Sequence, residues 1–177
     1  MFMLGLSRLT FFLGCFFVAA ASFSRPVMLV FKKHFGETAF VVVVFLVCAA
    51  AFVLVVRFFY RYTGSILRCL PACIVLVAGI AATGFLRITE ERLHVYEYGL
   101  LAWLACRDIA GLSKSYKRYA QALALAVMFG LLDEGFQRFL PYRYFEWSDV
   151  LLNIYGCLWG GVIYFSVTSY QLSVTRK

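Results

Sequence analysis

The stretch Val150–Tyr170 (VLLNIYGCLWGGVIYFSVTSY) contains no charged residue. A helix needs about 20 consecutive, mostly apolar residues to cross the hydrocarbon core of a bilayer. This stretch has that length and composition, so it predicts a transmembrane helix. Five further apolar runs precede it, at Leu9–Phe23, Thr38–Val56, Ile66–Leu86, Leu93–Cys106 and Tyr119–Leu132. We therefore predict an all-α fold, a polytopic transmembrane helix bundle with about six membrane-spanning helices.

The composition of the whole chain also indicates a membrane protein. Of its 177 residues, 63% are hydrophobic and 15% are charged, whereas a soluble domain has about 45–50% apolar and about 25% charged residues. A chain of this size cannot hide so much apolar surface in a core of its own. The net charge of +8 comes from basic residues in short stretches between the apolar runs. Because this pattern sets membrane topology, we expect no nucleic acid partner.

The chain divides into residues 1–86, with about three spans, residues 87–170, with about three more, and a tail at 171–177. With the N-terminus inside, ten lysines and arginines fall in inner segments and seven in outer segments. Basic residues are enriched in cytoplasmic loops, so we predict a multi-pass membrane protein with both termini in the cytoplasm. Alternatively, Arg8, the following apolar run and Ala19–Ala21 form a cleaved signal peptide, which leaves five spans.

Ionisable residues gather at the ends of the last three apolar runs. On a helix, Glu90, His94 and Glu97 share one face, and so do Glu134, Gln137 and Arg138. Asp149 and Asn153 lie one turn apart at the start of the last helix. In the predicted topology all three stretches lie at the outer side of the membrane, and ionisable groups at membrane depth suggest function. The candidate functional cluster is Glu91, Arg92, His94, Glu97, Tyr98, Asp133, Glu134, Gln137, Arg138, Pro141, Arg143, Asp149 and Asn153.

A purely structural interpretation of this cluster stays open. The carboxylates could simply pair with neighbouring arginines. The negative charge of Asp149 could interact favourably with the dipole at the start of the last helix. Gly156 and Gly160 are predicted to serve helix packing, since small residues let a neighbouring helix come close. No zinc-binding spacing such as HExxH occurs, so we expect no metal or other cofactor. His94 and Glu134 are the side chains that a divalent ion would use.

The pattern Asp133-Glu134-x-x-Gln137-x-Phe139-x-Pro141-x-Arg143-x5-Asp149-x3-Asn153-x2-Gly156 resembles the signature of the VanZ-like membrane proteins. Upstream, Glu91-Arg92-x-His94-x3-Tyr98 resembles the acidic–basic–x-x-His pattern of the same family. The resemblance covers about residues 87–165. This family is named for a protein associated with low-level resistance to teicoplanin, an antibiotic that acts on the outer face of the membrane. The resemblance therefore implies a role in the cell envelope.

Three functions follow from these observations as alternatives. The first is a non-enzymatic envelope protein that binds a lipid-linked cell-wall precursor or glycopeptide and so alters teicoplanin susceptibility, with Arg143 contacting a phosphate. The second is a membrane enzyme acting on a lipid-linked glycan or phospholipid, with His94, Glu134 and Asp149 as acid–base groups. The third is a small transporter or proton-coupled channel that uses the intramembrane carboxylates as a proton relay.

Overall fold

The fold comes from a computed structural model that describes residues 6–63, 66–83, 89–110, 115–141 and 144–174. Within these ranges every regular element is helical and no strand occurs. The elements are α1 (Arg8–Thr63), α2 (Ile66–Thr83), α3 (Thr89–Ala105), a π-helical segment (Cys106–Ala110), α4 (Tyr116–Gln137) and α5 (Trp147–Val174). The prediction of an all-helical chain is confirmed.

Helix α1 consists of two helical segments that meet at Gly36. The backbone of Gly36 has φ 83° and ψ 161°, which is not helical. Glycine adopts a positive φ without steric cost because it has no Cβ. With α1 divided at this residue, the helical segments overlap all six apolar runs of the sequence.

One helical stretch of the described residues, Trp147–Thr168 in α5, is both long and apolar enough to cross a membrane. Two further apolar stretches, Arg8–Ala20 and Leu70–Thr83, are shorter. The structure thus supplies one candidate span where the sequence predicts about six, and the multi-span topology stays a prediction.

Helix α5 lies against α3 at glycine contacts. A Cβ added to Gly156 would lie 2.6 Å from the carbonyl oxygen of Val95, and one added to Gly160 would collide with the carbonyl oxygen of Gly99. The two backbones therefore touch, because residues without a side chain let neighbouring helices approach closely. This contact sets the position of α5 relative to the polar residues at the start of α3.

Helix α5 also contacts α2 on another side. The indole Nε1 of Trp159 donates a hydrogen bond of 2.9 Å to the carbonyl oxygen of Val75. The same indole lies against Gly79, where an added Cβ would collide with it. Helix α2 is thus attached to α5 by one aromatic side chain.

The buried core around α3 and α4 is built from apolar side chains. It includes Leu101 and Ala102 from α3, Ala126 and Phe129 from α4, and Phe17 from α1. Above this core, at the start of α3 and the end of α4, several of the buried side chains are polar.

Candidate functional site

Three ionisable side chains from α3 and α4 meet in the interior of the bundle. His94 is 7% exposed, Asp133 is 1% exposed and Glu134 is fully buried. One nitrogen or oxygen atom from each of the three residues lies within 4.8 Å of the others. The structure thereby brings together residues that are separated by about 40 positions in the sequence, and we call them the polar cluster.

Helix geometry explains how α4 contributes to the polar cluster. Asp133 and Glu134 are adjacent in sequence, and Gln137 follows one turn later, so its side chain reaches both carboxylates. The Nε2 of Gln137 donates hydrogen bonds of 3.1 Å to Asp133 Oδ1 and of 3.1 Å to Glu134 Oε1. Gln137 itself is 1% exposed. The amide therefore fixes the two carboxylates relative to each other.

Helix α3 contributes an imidazole and a phenol that lie one turn apart. The rings of His94 and Tyr98 are nearly parallel, with centroids 6.3 Å apart. The Tyr98 hydroxyl donates a hydrogen bond of 2.9 Å to Asp133 Oδ2. His94 Nδ1 lies 3.7 Å from the same oxygen. Asp133 is therefore the centre of the polar cluster, with one oxygen towards α3 and the other towards Gln137.

Helix α5 adds a buried amide next to the polar cluster. Asn153 is 1% exposed, and its Nδ2 donates a hydrogen bond of 3.4 Å to the carbonyl oxygen of Gly130. Gly130 lies one turn before Glu134 on α4. The Oδ1 of Asn153 is buried and has no hydrogen-bond partner among the described residues.

The other predicted site residues lie around the polar cluster rather than in it. Arg92, Glu97 and Asp149 are half-buried, whereas Arg138 and Pro141 are exposed. Glu97 lies close enough to Asp133 for the two carboxyl groups to interact electrostatically. Asp149 occupies the first turn of α5, where a negative charge interacts favourably with the helix dipole. Arg143 and the side chain of Glu91 lie outside the described residues.

The chemistry available to the polar cluster follows from its groups. A carboxylate beside an imidazole can exchange a proton, and two carboxylates with an imidazole nitrogen are ligands for a divalent ion. Their burial makes charge expensive unless a partner balances it. All these residues were predicted from the sequence as part of the candidate site, but the central position of Asp133 and its contact with Tyr98 were not. The i, i+4 spacing of His94 and Tyr98 was the available signal.

A second polar group lies at the opposite end of α3, about 20 Å from His94 by the helical rise. Asp108, in the π-helical segment, accepts hydrogen bonds from the Ser7 backbone N–H at 2.9 Å and from Thr10 Oγ1 at 2.6 Å. Arg107 donates to its other carboxylate oxygen at 2.8 Å. Ser7 Oγ in turn accepts a hydrogen bond from the Thr10 backbone N–H.

This second group caps the start of α1. Ser7 occupies the N-cap position, and its backbone N–H donates a hydrogen bond to the carboxylate of Asp108, which is distant in sequence. In a capping box, a glutamate within the helix accepts the same hydrogen bond. Burial alone would raise the pKa of Asp108. The hydrogen bonds from Thr10, Ser7 and Arg107 outweigh that effect and lower the pKa below 3.8. This cap was not predicted from the sequence, although a serine directly before an apolar helix is a signal for one.

The VanZ/LLP1 family model matches residues 2–168 of the chain. Comparisons with curated proteins and with solved structures found no match. The family match spans α1 to α4, most of α5 and both polar groups, and it extends well beyond the stretch that carried the sequence resemblance. The chain therefore belongs to the VanZ/LLP1 family.

Proposed function

We propose that this chain is a multi-pass protein of the bacterial cytoplasmic membrane that binds the polar headgroup of a lipid-linked envelope component at the outer surface, and thereby affects teicoplanin susceptibility. The observation that carries this proposal is the position of the polar cluster. Gln137, which donates hydrogen bonds to both carboxylates of the polar cluster, ends α4 only two residues before Phe139, which is 83% exposed. Tyr144 and Trp147, which follow, are also largely exposed.

Exposed aromatic residues of this kind occupy the boundary between lipid and water. With the aromatic segment at that boundary, the polar cluster lies at or just below the level of lipid headgroups. A headgroup offers hydroxyl and amine donors to carboxylates, and phosphate oxygens to arginines. Arg143, between the aromatic residues, remains the predicted phosphate contact from the sequence.

The surface of the helices supports a lipid environment. Large apolar side chains are exposed along α1 and α5, including Phe12 at 63%, Phe16 at 62% and Leu151 at 66%. Soluble monomers rarely expose contiguous apolar surface on this scale. Lipid contact accounts for these side chains along both helices.

The multi-pass topology is tested by cysteine accessibility in a cysteine-free background. Glu37, beside the break in α1, and Lys117, at the start of α4, are both exposed. A membrane-impermeant maleimide should label Glu37→Cys in spheroplasts but label Lys117→Cys only after lysis. Equal labelling of both positions in intact spheroplasts would contradict the topology.

The functional part is tested by growth under teicoplanin. Cells that express the native gene are compared with cells expressing His94→Gln, Glu134→Gln, Asp149→Asn or Arg143→Ala, and the protein amount is measured in each. We expect loss of the growth effect at an unchanged protein amount. Glu146→Gln, an exposed carboxylate outside the polar cluster, should retain the effect. If each loss follows a fall in protein amount, the polar cluster is structural.

A membrane enzyme is the second candidate, and the geometry of His94 and Asp133 favours it. His94 Nδ1 lies 3.7 Å from Asp133 Oδ2, which is longer than a hydrogen bond of about 2.6–3.2 Å, but contacts between acid–base groups are often long until a substrate binds and draws them together. An enzyme should release phosphate from a lipid-linked pyrophosphate, and His94→Gln should stop that release while headgroup binding persists. Binding without turnover by the native protein would favour the non-enzymatic function.

A further inference from the structure

We propose that His94, Asp133 and Glu134 form a binding site for a divalent first-row metal ion, Zn²⁺ or Mn²⁺. The sequence led us to expect no metal, because no motif with metal-ligand spacing is present. The three ligands come instead from two helices that only the fold brings together. These are the same side chains that the proposed headgroup site uses, but metal binding can be measured on the purified protein without any lipid.

The donor types and their separation fit such an ion. Zinc binds imidazole nitrogen at about 2.0–2.1 Å and carboxylate oxygen at about 2.0–2.2 Å, so tetrahedral ligand atoms are about 3.4 Å apart. His94 Nδ1 and Asp133 Oδ2 are 3.7 Å apart, and a ligand atom of Glu134 completes a group in which no separation exceeds 4.8 Å. Small side-chain rotations would close this group around one ion.

Neighbouring side chains hold the two carboxylate ligands by hydrogen bonds, as side chains next to the ligands do in metal sites. Gln137 donates to both carboxylates, and the Tyr98 hydroxyl donates to Asp133. Ligating carboxylates are commonly fixed by partners of this kind, and removing such a partner costs about 10–100-fold in metal affinity. None of these donors is itself a ligand, so their contribution is measurable separately.

Charge favours a divalent ion at this position. Asp133 and Glu134 are 1% and 0% exposed, and two carboxylates so placed repel each other when both are ionised. A divalent cation balances both charges while the imidazole binds it as a neutral ligand. Three protein ligands leave at least one position for water, as in catalytic zinc sites. Asn153, whose buried Oδ1 has no hydrogen-bond partner among the described residues, offers an acceptor for such a water at the same end of the bundle.

The test measures metal binding by the purified full-length protein in detergent after a chelator has removed bound ions. Equilibrium dialysis against Zn²⁺ should load about one ion per chain and raise the unfolding temperature. His94→Gln, Asp133→Asn and Glu134→Gln should each lose this ion and the temperature shift. Gln137→Ala should bind with an affinity lowered about 10–100-fold. Glu146→Gln, which alters an exposed carboxylate, should bind as the native protein does.

A second measurement keeps the proposal testable if a ligand variant fails to fold. With Mn²⁺ bound to the native protein, pulsed electron paramagnetic resonance should show coupling to an imidazole nitrogen, and His94→Gln should abolish it. Absence of saturable binding by the native protein, or retention of the ion by all three ligand variants, would overturn the metal site. If the ion binds but the teicoplanin effect survives in the ligand variants, the proposed function fails and the metal site stands.

Discussion

The Tyr98 hydroxyl donates a hydrogen bond of 2.9 Å to Asp133 Oδ2, and this bond joins α3 to α4 where both residues are at most 1% exposed. A buried carboxylate depends on such donors because it has lost its contact with water. The bond therefore contributes both to the stability of the bundle and to the orientation of the polar cluster.

Replacing Tyr98 with phenylalanine should lower the free energy of unfolding by about 1–3 kcal/mol, because a buried charged acceptor loses its donor while the ring stays in place. Chemical unfolding in detergent measures the change. Tyr144→Phe removes an exposed hydroxyl and should alter stability by no more than about 0.5 kcal/mol. Equal effects of the two substitutions would show that the bond to Asp133 does not stabilise the bundle.

Two glycines that lie in different surroundings provide a matched pair of substitutions. Gly160→Ala should strongly destabilise the protein, because the new Cβ would collide with the Gly99 carbonyl oxygen and force α3 and α5 apart. Gly135→Ala should be neutral or should stabilise α4 by about 0.5–1 kcal/mol, since no atom lies within 4 Å of its added Cβ. Thermal unfolding of both variants in the same detergent gives the comparison. An equal loss of stability in both would mean that α3 and α5 do not approach each other at Gly160.

The sequence predicted the helices well because hydrophobicity is a local property. Each apolar run overlaps a helical segment. The polar residues at the ends of three runs predicted that His94 and Glu134 lie at the same level relative to the membrane. Relations between distant segments left no such local mark. The hydrogen bond from Trp159 to Val75 and the capping of Ser7 by Asp108 join residues 84 and 101 positions apart. The break at Gly36 also escaped prediction, because a glycine alone does not show whether its φ is positive.

The attachment of α2 to α5 through Trp159 gives a further prediction. Trp159→Phe keeps an aromatic ring near Gly79 but removes the Nε1–H donor to the Val75 carbonyl oxygen. We expect a loss of about 1–2 kcal/mol in the free energy of unfolding, from the hydrogen bond and the lost ring volume. Trp147→Phe, at a residue that is 71% exposed, is the control and should leave stability nearly unchanged. A similar loss in the control would show that the contact of Trp159 with α2 is not the cause.

The cap on α1 predicts a dependence of stability on pH that can be assigned to one carboxyl group. The folded protein holds the pKa of Asp108 below its usual value of 3.8, because hydrogen bonds to the carboxylate outweigh the effect of burial. A group with a lowered folded pKa stabilises the fold above its unfolded pKa. That stability is lost as the pH falls through the folded pKa, because the carboxylate is then protonated in both states.

Asp108→Asn should therefore reduce the free energy of unfolding at pH 7, where the native carboxylate is charged, by about 0.5–2 kcal/mol, the range found for helix caps. The difference between the native protein and the variant should shrink as the pH falls below about 4. Thr10→Val removes one donor to the same carboxylate and should produce a smaller loss with the same pH trend. Unfolding curves of the three proteins at several pH values test this assignment. A difference that stays constant down to low pH would show that Asp108 stabilises α1 by contact rather than by its charge.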